Sequence, residues 1–171
     1  MMRISHILLL VVAALLCSAS TSPEKQFDNG MTAYQSGDYA TALRILRPLA
    51  EHGGPNAANA LGVMYANGQG VPQDYAAAMK WYRKAADQGL GAAQANLGLM
   101  YDLGQGVPQD YAAAAKWYLR AANQGNSVAQ VYLGAMYDLG HGLTQRSSSN
   151  LVPEGSRARQ CLRPDQFGGD V

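Results

Sequence analysis

Aspartates that recur at a fixed spacing are the first candidates for chemistry in this chain. Asp74 and Asp110 are 36 residues apart, and the same spacing separates Asp102 from Asp138. Two carboxylates can act as general acid and general base when a fold brings them together. Asp74 and Asp110, however, each stand directly before Tyr-Ala-Ala-Ala, where an aspartate can cap the start of a helix. We therefore predict that this pair is structural.

The other potentially reactive side chains form no recognisable constellation. The sequence has three histidines and two cysteines, and none of them lies in a cluster with metal-ligand spacing. No serine lies in a G-x-S-x-G motif. Gly68-Gln69-Gly70 and its copy at 104–106 lack the Lys-Ser/Thr pair of a phosphate-binding loop, so we interpret both as turns. The sequence predicts no catalytic residue, no metal site and no cofactor.

The aspartates recur because most of the chain recurs. Residues 62–89 read GVMYANGQGVPQDYAAAMKWYRKAADQG, residues 98–125 read GLMYDLGQGVPQDYAAAAKWYLRAANQG, and residues 134–142 begin a further copy. Self-similarity at a period of 36 residues is the signature of a solenoid built from stacked repeats. Two helices are expected in each complete copy, and the predicted helices lie near 56–67, 75–88, 92–103, 111–124 and 128–139.

Side-chain periodicity supports these helices. In the second helix of the first copy, aromatic and alanine residues fall at i, i+3, i+7 and i+10, namely Tyr75, Ala78, Tyr82 and Ala85. That spacing places them on one helical face. On the first helices, Gly62 and Gly98 remove a side chain where a neighbouring helix could approach closely. The sequence therefore predicts pairs of closely packed helices.

The repeated pattern closely resembles the Sel1-like repeat, a relative of the tetratricopeptide repeat. The motifs L-G-x-M-Y, G-x-G-V-x-x-D and A-x-x-W-Y-x-x-A-A-x-Q-G carry this resemblance over about residues 27–142. It implies an all-α fold, an α/α right-handed superhelical solenoid of helix–loop–helix repeats. It also implies a scaffold that binds a protein or peptide through its concave surface, without catalysis.

The same resemblance implies that the first helices line the concave face. Positions that repeat usually carry the fold, whereas positions that differ between copies usually carry specificity. We therefore predict partner contacts at differing positions of the first helices, by Asn96, Asp102, Tyr132 and Asp138. The alternative for each of these side chains is an ordinary solvated helix face.

The start of the chain predicts export. In residues 1–20, Arg3 precedes an unbroken apolar run of ten residues from Ile7 to Leu16, which is typical of a signal peptide. A run of this length is too short to span a bilayer, so no integral membrane segment is expected after removal of the signal. We predict a periplasmic or secreted protein. The alternative is a lipoprotein acylated at Cys17, although Leu16 occupies the position where a small residue is expected.

The repeats set the remaining boundaries. A degenerate first repeat of tetratricopeptide or Sel1-like type, two good Sel1-like repeats and a partial one are predicted at 24–53, 56–89, 92–125 and 128–142. Residues 143–171 show no helical period and are rich in Arg, Ser, Gly and Pro, which predicts a disordered tail. A second hypothesis is that this tail is the next repeat in a shifted frame. Back-translation of 151–171 one base later can give WYRKAAEQGNASAQINLGVMY, which matches the repeat.

The net charge of the chain bears on the kind of partner that it could bind. The net charge of +1 argues against a broad nucleic-acid surface. The favoured function is an exported Sel1-like scaffold for an unidentified protein or peptide partner. The alternatives are an accessory factor or enzyme of the cell envelope that acts on peptidoglycan, and a non-functional truncated remnant of a longer repeat protein. The oligomeric state stays open at this point.

Overall fold

The computed structural model describes residues 22–140, and helices occupy most of this range. Seven α-helices follow one another there, without a strand between them. They are α1 (Pro23–Gln35), α2 (Tyr39–Glu51), α3 (Pro55–Asn67), α4 (Tyr75–Ala86), α5 (Gly91–Leu103), α6 (Tyr111–Asn123) and α7 (Ser127–Leu139). The all-α prediction is confirmed. The predicted signal peptide at 1–20 and the predicted tail at 143–171 lie outside the described residues.

Aspartate side chains fix the start of three helices. The Oδ1 atoms of Asp38, Asp74 and Asp110 each accept a hydrogen bond from the backbone N–H three residues later, at 3.1, 2.9 and 2.9 Å. These bonds satisfy backbone donors that the helix itself leaves without a partner. The predicted capping role of Asp74 and Asp110 is therefore confirmed. Helix capping explains why both aspartates recur.

Glycines in the left-handed region end the first helices. Gly68 and Gly104 have φ values of 67° and 68°, and their N–H groups donate to the carbonyl oxygens of Met64 and Met100. A residue with a Cβ atom adopts this backbone conformation at a cost, which is why glycine is preferred at such positions. The chain then turns back toward the second helix of the repeat.

The first of two compact units extends to residue 84, and the structure describes it from residue 22. Within it, α1 packs on α2 and α2 packs on α3. Leu46, Leu61 and Met64 are fully buried there. The part of α4 that belongs to this unit packs on α3, where the ring of Tyr82 lies directly over Gly62.

The second compact unit comprises residues 85–171, of which the structure describes residues up to 140. In it, α5 packs on α6 and α6 packs on α7. Its core combines many alanines with a few large side chains, among them Leu97, Tyr118, Leu133 and Met136. Small side chains at the helix contacts let the backbones approach closely, and the large ones fill the remaining space.

The second helices end slightly earlier than predicted. They stop at Ala86 and Asn123, one or two residues before the predicted ends. In both cases the following residues form a turn that leads into a glycine with positive φ, Gly89 or Gly125. None of the described helices is both long enough and apolar enough to cross a membrane.

Candidate functional site

The four predicted contact residues all lie on first helices of the second unit. Asn96 and Asp102 are half-buried on α5. Tyr132 and Asp138 are exposed on α7, where they occupy the repeat positions of Asn96 and Asp102. The exposed fraction of Tyr132 is 37%. All four are thus at least partly accessible to a partner.

The structure brings two of these residues together around the buried Tyr118 of α6. The rings of Tyr118 and Tyr132 are stacked, with centroids 5.3 Å apart and planes inclined by 10°. Burial raises the pKa of the Tyr118 phenol above its usual range, and the nearby Asp102 carboxylate and Tyr132 raise it further. We call Asp102, Tyr118 and Tyr132 the tyrosine–aspartate cluster. It joins α5, α6 and α7.

The cluster combines a buried ring, that of Tyr118, with a partly exposed ring, that of Tyr132. Tyr118 is fully buried, and its hydroxyl oxygen has no hydrogen-bond partner among the described residues. Because its pKa is raised, this phenol stays neutral in ordinary solutions. Tyr132 lies flat on it and keeps an exposed outer surface. Offset or parallel stacking of this kind holds an aromatic ring in a defined orientation.

The other two predicted residues are not part of this cluster. Six residues separate Asn96 from Asp102, and also Tyr132 from Asp138. Six residues of α-helix correspond to about 9 Å along the axis and about 120° around it. Each pair therefore points to two different sides of its helix. Of the four predicted residues, only Asp102 and Tyr132 are brought together, in the tyrosine–aspartate cluster.

A recurring glutamine, which the sequence argument left without a role, fixes the backbone next to Asp102. The side-chain amide of Gln109 donates to the Asp102 carbonyl oxygen at 2.7 Å, and Gln73 donates to the Ala66 carbonyl oxygen at 2.8 Å. Both bonds tie the loop after a first helix to the last turn of that helix. The signal for them was the Pro-Gln-Asp sequence that both copies share.

A second missed feature concerns the tyrosine that follows methionine in each first helix. In the first unit, the Arg47 guanidinium donates to the Tyr65 hydroxyl at 2.9 Å. Leu119 stands at the same spacing before Tyr137, and the buried Tyr137 hydroxyl has no hydrogen-bond partner among the described residues. Burial also raises the pKa of Tyr137. The interaction is thus lost where arginine is replaced by leucine.

Several potentially reactive groups have structural partners. His52 Nδ1 lies 2.6 Å from the Pro48 carbonyl oxygen, one turn earlier. Ser22 and Lys25 have a spacing found in serine–lysine enzymes, but the Ser22 hydroxyl accepts a bond from the Lys25 backbone N–H and caps α1. Within residues 22–140, no group of three His, Cys, Asp or Glu residues could hold a metal ion.

This protein is an α-helical repeat scaffold: consecutive helices pack on one another, glycines end the first helices, and tyrosine rings lie over glycines of the first helices. A family model described as "Sel1 repeat" matches residues 55–90, 91–126 and 127–150, which is more than half of the chain. The chain therefore belongs to the Sel1 repeat family. The helices α1 and α2 precede the matched segments, so the degenerate first repeat at 24–53 stays a prediction.

Two solved structures show the same fold. A protective antigen present in uropathogenic Escherichia coli strains, which displays an SLR fold, is 41% identical with a TM-score of 0.70 over 76% of this chain. A Sel1 repeat protein from Oxalobacter formigenes is 34% identical with a TM-score of 0.66 over 70% of this chain. The matched region spans 29% and 48% of these two proteins, respectively. No curated protein matches the chain significantly.

Proposed function

We propose that this protein is an exported, non-catalytic scaffold that binds a protein or peptide partner through its first helices. The observation that carries the proposal is the tyrosine–aspartate cluster. It places an aromatic face and a carboxylate at positions that differ between copies, on a framework that the copies share. In the first copy the positions of Asp102 and Tyr132 are held by Ala66 and Ala60.

Charge indicates the chemistry of the partner segment. Asp102 and Asp138 are the only ionisable side chains of α5 and α7 that carry charge at neutral pH. A partner segment with Lys or Arg beside an apolar or planar side chain would match this surface, since a cation pairs with the carboxylates and also interacts with an aromatic face. Tyr132 supplies that face.

The proposed export depends on residues 1–20, which lie outside the described residues. Arg3 followed by the apolar run from Ile7 to Leu16 supports a signal peptide. The mature protein would then meet its partner in the periplasm or outside the cell. N-terminal sequencing of the protein from its native host checks this point: a start near residue 20 supports cleavage, whereas an intact Met1 contradicts it.

The binding proposal is tested by capture from an envelope extract with the immobilised mature chain. A saturable protein partner is expected, and Asp102→Lys should weaken its binding by about tenfold or more, as expected for reversal of a charge that contacts a partner. Asp87→Lys is the matched control, because Asp87 is an exposed aspartate outside the first helices. Unchanged capture by Asp102→Lys would contradict the proposed surface. Turnover of peptidoglycan fragments by the pure protein would contradict the absence of catalysis.

A further inference from the structure

One face of the first helix α7 is exposed, whereas the equivalent face of α5 is buried. Gln94, Ala95 and Gly98 of α5 are buried. Their repeat equivalents on α7, Gln130, Val131 and Gly134, are all exposed, and the exposed fraction rises from 6% at Ala95 to 71% at Val131. We call these three α7 residues the α7 face. An apolar side chain thus lies in solvent at a position that the other copy keeps buried.

The two complete copies show what covers this face. A Cβ atom at Gly62 would lie 2.5 Å from ring carbons of Tyr82, and one at Gly98 would lie 2.6 Å from ring carbons of Tyr118. In each copy, a tyrosine of the second helix therefore sits on the glycine of the first helix. At Gly134, no atom of the described residues lies within 4 Å of the corresponding position. Residues 22–140 thus place no second-helix tyrosine on this glycine.

A glutamine on the same face supports this assignment. The Gln94 side chain donates to the Ala86 carbonyl oxygen at 3.2 Å and accepts a bond from Gln124, just after the second helix, at 2.9 Å. Gln130 reproduces the first bond by donating to the Ala122 carbonyl oxygen at 3.3 Å. Its side-chain oxygen is thereby oriented as that of Gln94 is, toward the place where the glutamine after a second helix would donate.

The chain itself does not carry the matching residues at the expected register. Pro153 and Glu154 stand where Trp117 and Tyr118 stand one copy earlier. Neither side chain could reproduce the contact of an aromatic ring with a glycine. Among the described helices, a second copy of the chain offers no spare second helix either, since α2, α4 and α6 place large side chains over Gly30, Gly62 and Gly98 of their own units.

We propose that the α7 face binds the second helix of a Sel1 repeat supplied by another polypeptide. The bound helix is rich in alanine, seats a tyrosine ring on Gly134 and contacts Val131 with its small residues. This site is separate from the tyrosine–aspartate cluster, and its existence does not depend on the proposed function.

The test uses the full chain and a synthetic peptide with the sequence of residues 109–125, QDYAAAAKWYLRAANQG, labelled for fluorescence anisotropy. The wild-type chain should bind this peptide saturably. A peptide with Tyr118→Ala should bind about tenfold more weakly, or worse, because it lacks the ring that seats on the glycine.

Gly134→Ala is the decisive variant of the protein. Its methyl group meets no atom of residues 22–140, and alanine favours a helix over glycine, so the variant should fold at least as well as the wild type. It should nevertheless weaken binding of the wild-type peptide about tenfold and change binding of the Tyr118→Ala peptide less than about twofold. Asp87→Lys should leave peptide affinity within about twofold, because Asp87 is exposed and lies outside the α7 face.

Three results would overturn the proposal. The first is no saturable binding by the folded wild-type chain at peptide concentrations up to about 1 mM, the weak end of specific affinity. The second is equal affinity of the wild-type peptide for the wild-type chain and Gly134→Ala. The third is self-association of the chain in sedimentation experiments that Gly134→Ala abolishes, since a second copy would then be the occupant.

Discussion

At the scale of the residue, one glycine on each first helix decides how closely the second helix approaches. The ring of Tyr118 occupies the space that a side chain at position 98 would need. Tyr118 is fully buried and stacked on Tyr132, so it cannot move aside without disturbing a second contact. Gly134 has the same place in its repeat, but no ring of the described residues lies over it. Glycine therefore stabilises the helix packing at position 98, whereas at position 134 it only lowers the stability of the helix.

The two glycines should consequently respond in opposite directions to the same substitution. Gly98→Ala is expected to lower the free energy of unfolding by about 1–3 kcal/mol, because its methyl group overpacks the Tyr118 ring. Gly134→Ala is expected to raise it by about 0.5–1 kcal/mol through the better helix propensity of alanine. Urea unfolding followed by circular dichroism measures both values. A gain in stability for Gly98→Ala would show that the ring contact is looser than the structure indicates.

The unpartnered hydroxyl of Tyr137 offers a second test at this scale. Leu119→Arg should place a guanidinium beside that hydroxyl, as Arg47 is beside Tyr65. The arginine stem can keep part of the leucine packing, and a hydrogen bond to a charged donor should raise the free energy of unfolding by about 1 kcal/mol. The matched control is the same substitution in a Tyr137→Phe background, where the gain should vanish. An equal gain in both backgrounds would assign the effect to something other than this bond.

At the scale of the element, the helices could be predicted from the sequence and the tyrosine–aspartate cluster could not. Recurring aspartates and glycines mark where helices begin and end, because caps and left-handed turns depend on local chemistry. The approach of Asp102 and Tyr132 to Tyr118 depends instead on how α5, α6 and α7 pack, and a 36-residue period contains no such information. The partner contacts predicted for Asn96, Asp102, Tyr132 and Asp138 remain predictions.

Backbone amide hydrogens of α7 should be less protected from exchange than those of α5, the other first helix of the second unit. Three of its residues are exposed where the equivalents on α5 are buried, and Val128 and Leu139 are exposed as well, at 55% and 67%. Helix stability in proteins comes mostly from tertiary packing, and local opening is easiest where few apolar contacts hold an element. We expect amide hydrogens of residues 128–139 to exchange faster than those of 92–103 in hydrogen-exchange mass spectrometry. Equal protection would show that something covers α7 in solution.

At the scale of the whole molecule, each compact unit has a tyrosine whose whole side chain is buried or nearly so. Tyr82 is 5% exposed in the first unit and Tyr118 is fully buried in the second. Burial is the main cause that raises the pKa of both, with Tyr34 adding to it for Tyr82 and Asp102 for Tyr118. Each unit therefore contains a core group that resists ionisation.

This arrangement predicts that the protein loses stability in alkaline solution. Below the ordinary tyrosine pKa of about 10, the two phenols are neutral in both the folded and the unfolded chain. Above it, the unfolded chain releases these protons while the folded chain retains them, so the free energy of unfolding falls as the pH rises toward the raised pKa values of the folded state. Urea unfolding at about pH 8.5 and about pH 11, on either side of that ordinary value, should show the decrease. The double variant Tyr82→Phe, Tyr118→Phe is the control, because it lacks these two phenols and keeps every other ionisable side chain of the protein. A decrease of the same size in this variant would place the alkaline sensitivity outside the two tyrosines, whereas a smaller one would assign the difference to the phenol cores of the two units.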